Sequence, residues 1–122
     1  MILVDTSVWI DHLRQGDNEL KSMLVAGQVF IHPFVIGEIA LGNLRQRELV
    51  LNSLHALPHS ISASDTEVFA FIDIQNLFGL GIGFVDAHLL ASARLSNAML
   101  WTRDKRFRDV AEKLGMGSPA KT

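Results

Sequence analysis

Four carboxylates, Asp5, Glu38, Asp86 and Asp104, fall at positions that a parallel α/β arrangement would bring to one edge. Asp5 closes the apolar run Ile2-Leu3-Val4, and Asp104 follows Met99-Leu100-Trp101-Thr102. Acids that come just after buried strands sit at the carboxyl edge of a sheet, where α/β folds place their ligands. Carboxylates gathered there repel one another, so the cluster makes sense chiefly if it holds a cation. Ligation by oxygen alone selects a hard ion, Mg²⁺ or Mn²⁺, and not zinc. Such a site lowers the pKa of a bound water, orients it and neutralises a phosphodiester. The residues do not choose between one ion and two.

The four acids are not equivalent. Asp5 has the alternative of capping a helix, but Thr6 and Ser7 follow it and can do the capping instead. Glu38 lies within Phe34-Val35-Ile36-Gly37-Glu38-Ile39-Ala40-Leu41, where apolar neighbours leave little polar face and predict a buried carboxylate in need of a partner. Asp86, in Phe84-Val85-Asp86-Ala87-His88, has the alternative of a favourable charge at a helix start. Asp104, flanked by Arg103 and Lys105, is the member most open to a capping role. Asp65 and Glu67 read as capping residues, and Asp17, Glu19, Glu48, Asp109 and Glu112 as structural acids in polar surroundings; Asp11 and Asp73 have no evident partner. His12, His32, His55, His59 and His88 share no metal-ligand spacing and read as surface or internally satisfied side chains.

The elements that must position these groups alternate. Residues 2–4 form a short buried strand, and a helix begins over 8–13, is interrupted at Gly16-Asp17-Asn18 and resumes over 19–26. Residues 28–32 form the next strand, and Pro33 opens a helix that runs to about Leu41. Residues 45–55 have helical spacing, and residues 57–62 make a loosely defined third strand. Ser64 and Glu67 stand at capping-box spacing ahead of a longer helix. The segment Gly79-Leu80-Gly81-Ile82-Gly83 precedes a helix over 84–95, a fourth strand follows over 99–102, and the last helix covers 104–114. A fifth strand near Met116 is allowed. The pattern predicts a three-layer α/β/α sandwich with a central parallel sheet of four to five strands, as one domain over residues 1–122. The glycine segment has neither dinucleotide-binding spacing nor a P-loop Gly-Lys-Ser/Thr, and reads as a hinge before a helix.

Bulk properties narrow the classes. The chain is 48% hydrophobic and 20% charged, which supports a packed core and argues against disorder. It has no cysteine, which removes disulfides, thiolate metal sites and cysteine nucleophiles and fits a reducing cytoplasm. No basic leader or span of roughly 20 apolar residues is present, so a soluble cytoplasmic protein without membrane partners is expected. The net charge of −2 hides an asymmetry: residues 1–93 carry four basic and ten acidic side chains, residues 94–122 seven basic and three acidic. The basic end suggests phosphate contacts beside an acidic site, with Arg94, Arg103, Lys105, Arg106 and Arg108 as candidates.

Four motifs then occur in order: Ile2-Leu3-Val4-Asp5-Thr6-Ser7-Val8-Trp9; Ile36-Gly37-Glu38; Gly83-Phe84-Val85-Asp86-Ala87-His88-Leu89-Leu90-Ala91; and Leu100-Trp101-Thr102-Arg103-Asp104-Lys105-Arg106-Phe107. In this order, over essentially the whole length, the chain resembles the PIN-domain family, in particular the VapC-type toxins of bacterial toxin–antitoxin pairs. The resemblance implies a metal-dependent endoribonuclease that hydrolyses RNA with a metal-activated water. It implies Asp5 and Asp86 as principal metal ligands, with Glu38 and Asp104 as the remaining acids, direct or through water, and Thr6, Ser7 and Thr102 as hydroxyl support. It also implies a homodimer inhibited by a cognate antitoxin.

Two other classes compete. One is a fold of the same kind used as a binding module with no catalysis of its own. The other is a phosphoryl-transfer protein: a receiver needs an acceptor Asp after a central strand, which residues 57–62 lack, and an aspartate phosphatase wants Asp-x-Asp where this chain has Asp5-Thr6-Ser7.

Overall fold

The structure, a computed structural model, describes residues 1–120. Three short parallel strands, β1 (Ile2–Val4), β2 (Val29–Phe30) and β3 (Met99–Trp101), form a sheet in the order β2-β1-β3. Ile2 and Leu3 pair with Val29 and Phe30 on one side of β1; Ile2, Leu3 and Val4 pair with Met99, Leu100 and Trp101 on the other. Consecutive strand residues point to opposite faces. Leu3 and Val4 are both fully buried, as are Leu100 and Trp101, so helices must cover the sheet on both sides.

The two further strands expected at the edges are reduced to single parallel bridges, Ile31 with His59 and Leu100 with Gly117. Pro58 lacks an N–H, and only its carbonyl and the Ser60 amide reach Ile31. On the other edge the Met116 carbonyl and the Ser118 amide bond only Leu100, between the glycines at 115 and 117. Sheet geometry therefore persists outward for one residue on each side.

Seven helices are present among the described residues: α1 (Thr6–Gln15), α2 (Asn18–Val25), α3 (Pro33–Ala40), α4 (Arg47–His55), α5 (Asp65–Gln75), α6 (Phe84–Leu95) and α7 (Lys105–Lys113). Their starts follow local chemistry. Asp17 caps α2 through the Leu20 amide, Pro33 opens α3, and Ser64 with Glu67 makes a full capping box on α5. α6 is the most buried helix, with every residue from Ala87 to Ala93 inside. It packs on β1 and β3, and Asp86 in its first turn lies within electrostatic reach of Asp5 and Asp104. Its buried Ser92 is satisfied: Oγ faces His32 Nε2 at 3.2 Å and accepts from the Ala63 amide, while His32 Nδ1 accepts from the Phe34 amide ahead of α3. Among the described residues no helix is long and apolar enough to cross a membrane.

Candidate active site

β1 and β3 end side by side, and the residues that follow them are tied together by hydroxyls. Asp5 is buried at the end of β1, and its amide donates to the Trp101 carbonyl of β3. By backbone position Asp5 is the N-cap of α1, yet its carboxylate makes no capping bond. Instead Oδ2 accepts from Thr102 Oγ1 at 2.8 Å and from Ser7 Oγ at 2.9 Å. Thr102 Oγ1 in turn accepts from the Asp104 amide, and Ser7 Oγ from the Arg103 amide. Each hydroxyl thus uses its hydrogen on Asp5 and its lone pairs on the chain leaving β3, which fixes Asp5 relative to Asp104.

The other acids are held with similar economy. Thr6 Oγ1 donates to Glu38 Oε1 at 2.7 Å and so joins α1 to α3. Asp86, in the first turn of α6, accepts from the Gly83 amide through Oδ2 at 3.0 Å. Asp104 caps α7, its Oδ1 accepting from the Phe107 amide at 3.1 Å. Each of the four carboxylates therefore has one oxygen engaged by the fold. Their other oxygens, Asp5 Oδ1, Glu38 Oε2, Asp86 Oδ1 and Asp104 Oδ2, accept no hydrogen bond and face no cation among the described residues.

The acids sense one another. Burial raises the Asp86 pKa above the ordinary carboxylate value; the Gly83 hydrogen bond opposes this, and the charges of Asp5, Asp104 and Glu38 add to it. Even so, among the described residues no three acidic or histidine side chains stand close enough to form an assembled metal cage. In donor type, though not in spacing, the set suits a hard divalent ion: all oxygen, four carboxylates, one free oxygen each, supported by hydroxyls.

One expectation about the acids is corrected here. Glu38 is exposed, not buried. α3 buries Val35, Ile36 and Ile39 and leaves Phe34, Gly37 and Glu38 on its open side, so an apolar sequence still yields an outward carboxylate.

The basic residues divide. Arg103 donates to Asp11 and Asp17 and stacks over the Trp101 ring at 5.7 Å. Burial works against its charge, but the two aspartates hold the guanidinium above its ordinary pKa. Asp17 is lowered by the Leu20 amide and, against burial, by Arg103. Arg103 is thus taken up inside the fold, and Asp11 and Asp17 are the partners that sequence reading missed. They lie 92 and 86 residues away along the chain, a separation that no local pattern bridges. Lys105 pairs with Asp109 on the surface of α7, and Arg94 donates to the Leu114 carbonyl. Arg108 lines a hollow beside β3 with Trp101, Glu112 and Ser118. Arg106 lies against the glycine segment before α6. A larger groove of about 640 Å³ runs between α1, α3 and α4 and reaches Glu38, with Ile10, Leu13, Arg14 and Arg45 among its walls.

Comparison with known proteins gives concordant matches. A model of the PIN domain matches residues 2–113. Ribonuclease VapC32 of Mycobacterium tuberculosis, in two strains, is 44% identical over 117 residues, covering 95% of this chain and 94% of that protein. Among solved structures, FitAB bound to the IR36 DNA fragment superposes with a TM-score of 0.64 at 20% identity, over 92% of this chain and 91% of that one. FitAcB from Neisseria gonorrhoeae gives 0.61 at 20% identity, over 92% and 94%. At that identity the two structures speak to the fold alone.

Proposed function

The chain belongs to the PIN-domain family, and from that premise we propose that it is a divalent-metal-dependent endoribonuclease, the toxin of a toxin–antitoxin pair. The likeness to a ribonuclease over nearly the whole of both chains supports the reaction class. The observation that carries the metal assignment is the set of four carboxylates, each with one oxygen engaged by the fold and one left over.

In this reading Asp5 and Asp86 hold Mg²⁺ or Mn²⁺ as principal ligands, and Glu38 and Asp104 complete the set directly or through water. When bound, the ion supplies charge neutralisation for a phosphodiester and lowers the pKa of a water. The chain's own residues do the positioning. Thr102 and Ser7 fix the Asp5 carboxylate, Thr6 fixes Glu38, and the Gly83 amide orients Asp86. Hydroxyl partners of this kind set ligand orientation and basicity. The exposed end of α7 offers Arg106, Arg108 and Lys105 to RNA phosphates, while Arg103 serves the fold. The unit is a single nuclease domain over residues 1–122 that works in the cytoplasm as a homodimer and is silenced by a cognate antitoxin.

The test is cleavage of RNA by purified, antitoxin-free protein with EDTA, Mg²⁺ or Mn²⁺. The expected result is cleavage with either ion, none with EDTA, and loss of growth inhibition on expression of Asp86→Ala. Folded protein that cleaves no RNA under any of these conditions would leave the binding-module reading in its place.

A further inference from the structure

The segment between α5 and α6 contains two glycines in the left-handed region, Gly79 at φ +74° and Gly81 at φ +77°. Both conformations favour glycine for the same backbone reason. They differ in what stands over them. A methyl group on Gly79 would meet nothing within 4 Å. One on Gly81 would lie 2.8 Å from Arg106 Nη1, 3.0 Å from its Cδ and 3.4 Å from its Cζ. The exposed Arg106 side chain therefore rests against the bare α-carbon of Gly81, and a side chain at 81 would push its guanidinium aside.

Two residues on, the Gly83 amide holds the Asp86 carboxylate. Arg106 itself lies two residues after Asp104, in the first turn of α7. One short segment thus touches an acid on α6 and an arginine on α7. Unlike Arg103, Lys105 and Arg94, Arg106 makes no hydrogen bond or ion pair among the described residues. Its guanidinium lies along Gly81, exposed and with all its donors available. A guanidinium presents paired donors that match phosphate oxygens, and its planar fork loses little freedom per hydrogen bond formed.

We propose that residues 81–83 form a positioning loop for substrate: Gly83 sets Asp86, and Gly81 seats Arg106 so that it grips an RNA phosphate neighbouring the one at the acids. The proposal rests on the ribonuclease reading above, and gives a role to a glycine segment that sequence reading leaves as a hinge. Arg106 binds substrate directly; Gly81 acts through it.

The experiment is a fluorescence-anisotropy titration of a labelled single-stranded RNA of mixed sequence in Mg²⁺ buffer over a range of KCl, in an Asp5→Asn background that suppresses cleavage. Arg106→Ala is expected to weaken binding about tenfold, as for loss of a charge-assisted contact. It should also make the slope of log affinity against log salt shallower by about 0.7, the value for one phosphate contact on a single strand. Gly81→Ala should reproduce both changes, and Gly81→Ala with Arg106→Ala should be no weaker than Arg106→Ala alone. Gly79→Ala imposes the same backbone strain with no arginine above it, and should bind like the parent. Parent-like binding by Arg106→Ala or by Gly81→Ala would overturn the proposal. So would equal weakening by Gly79→Ala, since the effect would then be loop strain. Absence of RNA binding by the parent would instead remove the ribonuclease reading together with the proposal.

Discussion

Two groups of charges lie within a few residues of each other, and they have been resolved in opposite ways. In one, Arg103 is clasped by Asp11 and Asp17 and backed by Trp101, so the charge is balanced inside the fold. In the other, Asp5, Glu38, Asp86 and Asp104 carry four negative charges with no cation opposite them among the described residues. Arg103 and Asp104 are adjacent in sequence, yet one side chain completes the architecture and the other is left over. Charge balanced internally marks a structural feature; charge the chain leaves unbalanced marks a place where something from outside belongs. The energetics differ within the acid group: a buried or half-buried charge costs free energy unless it is paired, which applies to Asp5 and Asp86, whereas Glu38 and Asp104 are exposed and solvated.

The largest effect that separates the two groups is catalytic. Asp5→Asn keeps the size and the hydrogen-bond acceptor of the side chain but removes its charge. RNA cleavage is expected to fall more than ~100-fold, beyond the cost typical of losing an outer hydrogen-bond partner of a ligand, with a circular-dichroism melt close to that of the parent. Retained metal-dependent cleavage in a folded Asp5→Asn protein would show that the unbalanced acids are not the reacting centre.

Arg103→Met tests the other group. It should cost on the order of 1–3 kcal/mol in urea unfolding, because two charge-assisted hydrogen bonds are lost and two aspartates are left facing each other. The salt dependence of RNA binding should not change. If Arg103→Met instead leaves stability intact and flattens the salt slope, Arg103 is an RNA contact after all and the contrast between the groups fails.

How far this contrast was legible in the sequence depends on distance along the chain. Asp5 and Asp104 could be located because each follows a buried strand, and strand order plus parallel direction brings them together. The Ser64–Glu67 capping box was legible because it spans four residues. Arg103 was not, since its partners lie on α1 and at the start of α2, and only the folded chain brings them near. An apolar helix offers no visible polar face, so its sequence predicts a buried Glu38; its exposure depends on which side of α3 the neighbouring helices leave open. The sequence predicts fuller edge strands because apolar runs do not reveal that pairing stops at a single bridge on each edge, beside Pro58 on one and Gly117 on the other.

The acid group also has a pH signature. The Asp86 carboxyl titrates above its ordinary value of 3.8, raised first by burial and then by Asp5, Asp104 and Glu38, against the Gly83 hydrogen bond. Between 3.8 and the raised value the folded chain still holds a proton that the unfolded chain has released. Stability therefore falls as pH rises through that window. Asp86→Asn should abolish this decline and raise the melting temperature of metal-free protein above the window. Mg²⁺ or Mn²⁺ at about 100 times Kd should raise the melting temperature of the parent by on the order of 10 °C at neutral pH, and that of Asp86→Asn by much less. A melting temperature indifferent to divalent ions in both proteins would argue that the acids stay unbalanced in solution.

Lys105 supplies the smallest and sharpest comparison. Like Arg103 it bonds an aspartate, Asp109, but both partners are largely exposed and lie one turn apart on α7. Water already solvates both charges well, and holding two long side chains in one geometry costs entropy, so such pairs contribute little. Lys105→Ala should change unfolding free energy by less than about 0.5 kcal/mol, well below the loss for Arg103→Met. Equal losses in the two variants would mean that burial and the bridging of distant segments add nothing to the Arg103 cluster. The cluster would then be a surface network, and charge balance would no longer separate the structural group from the functional one.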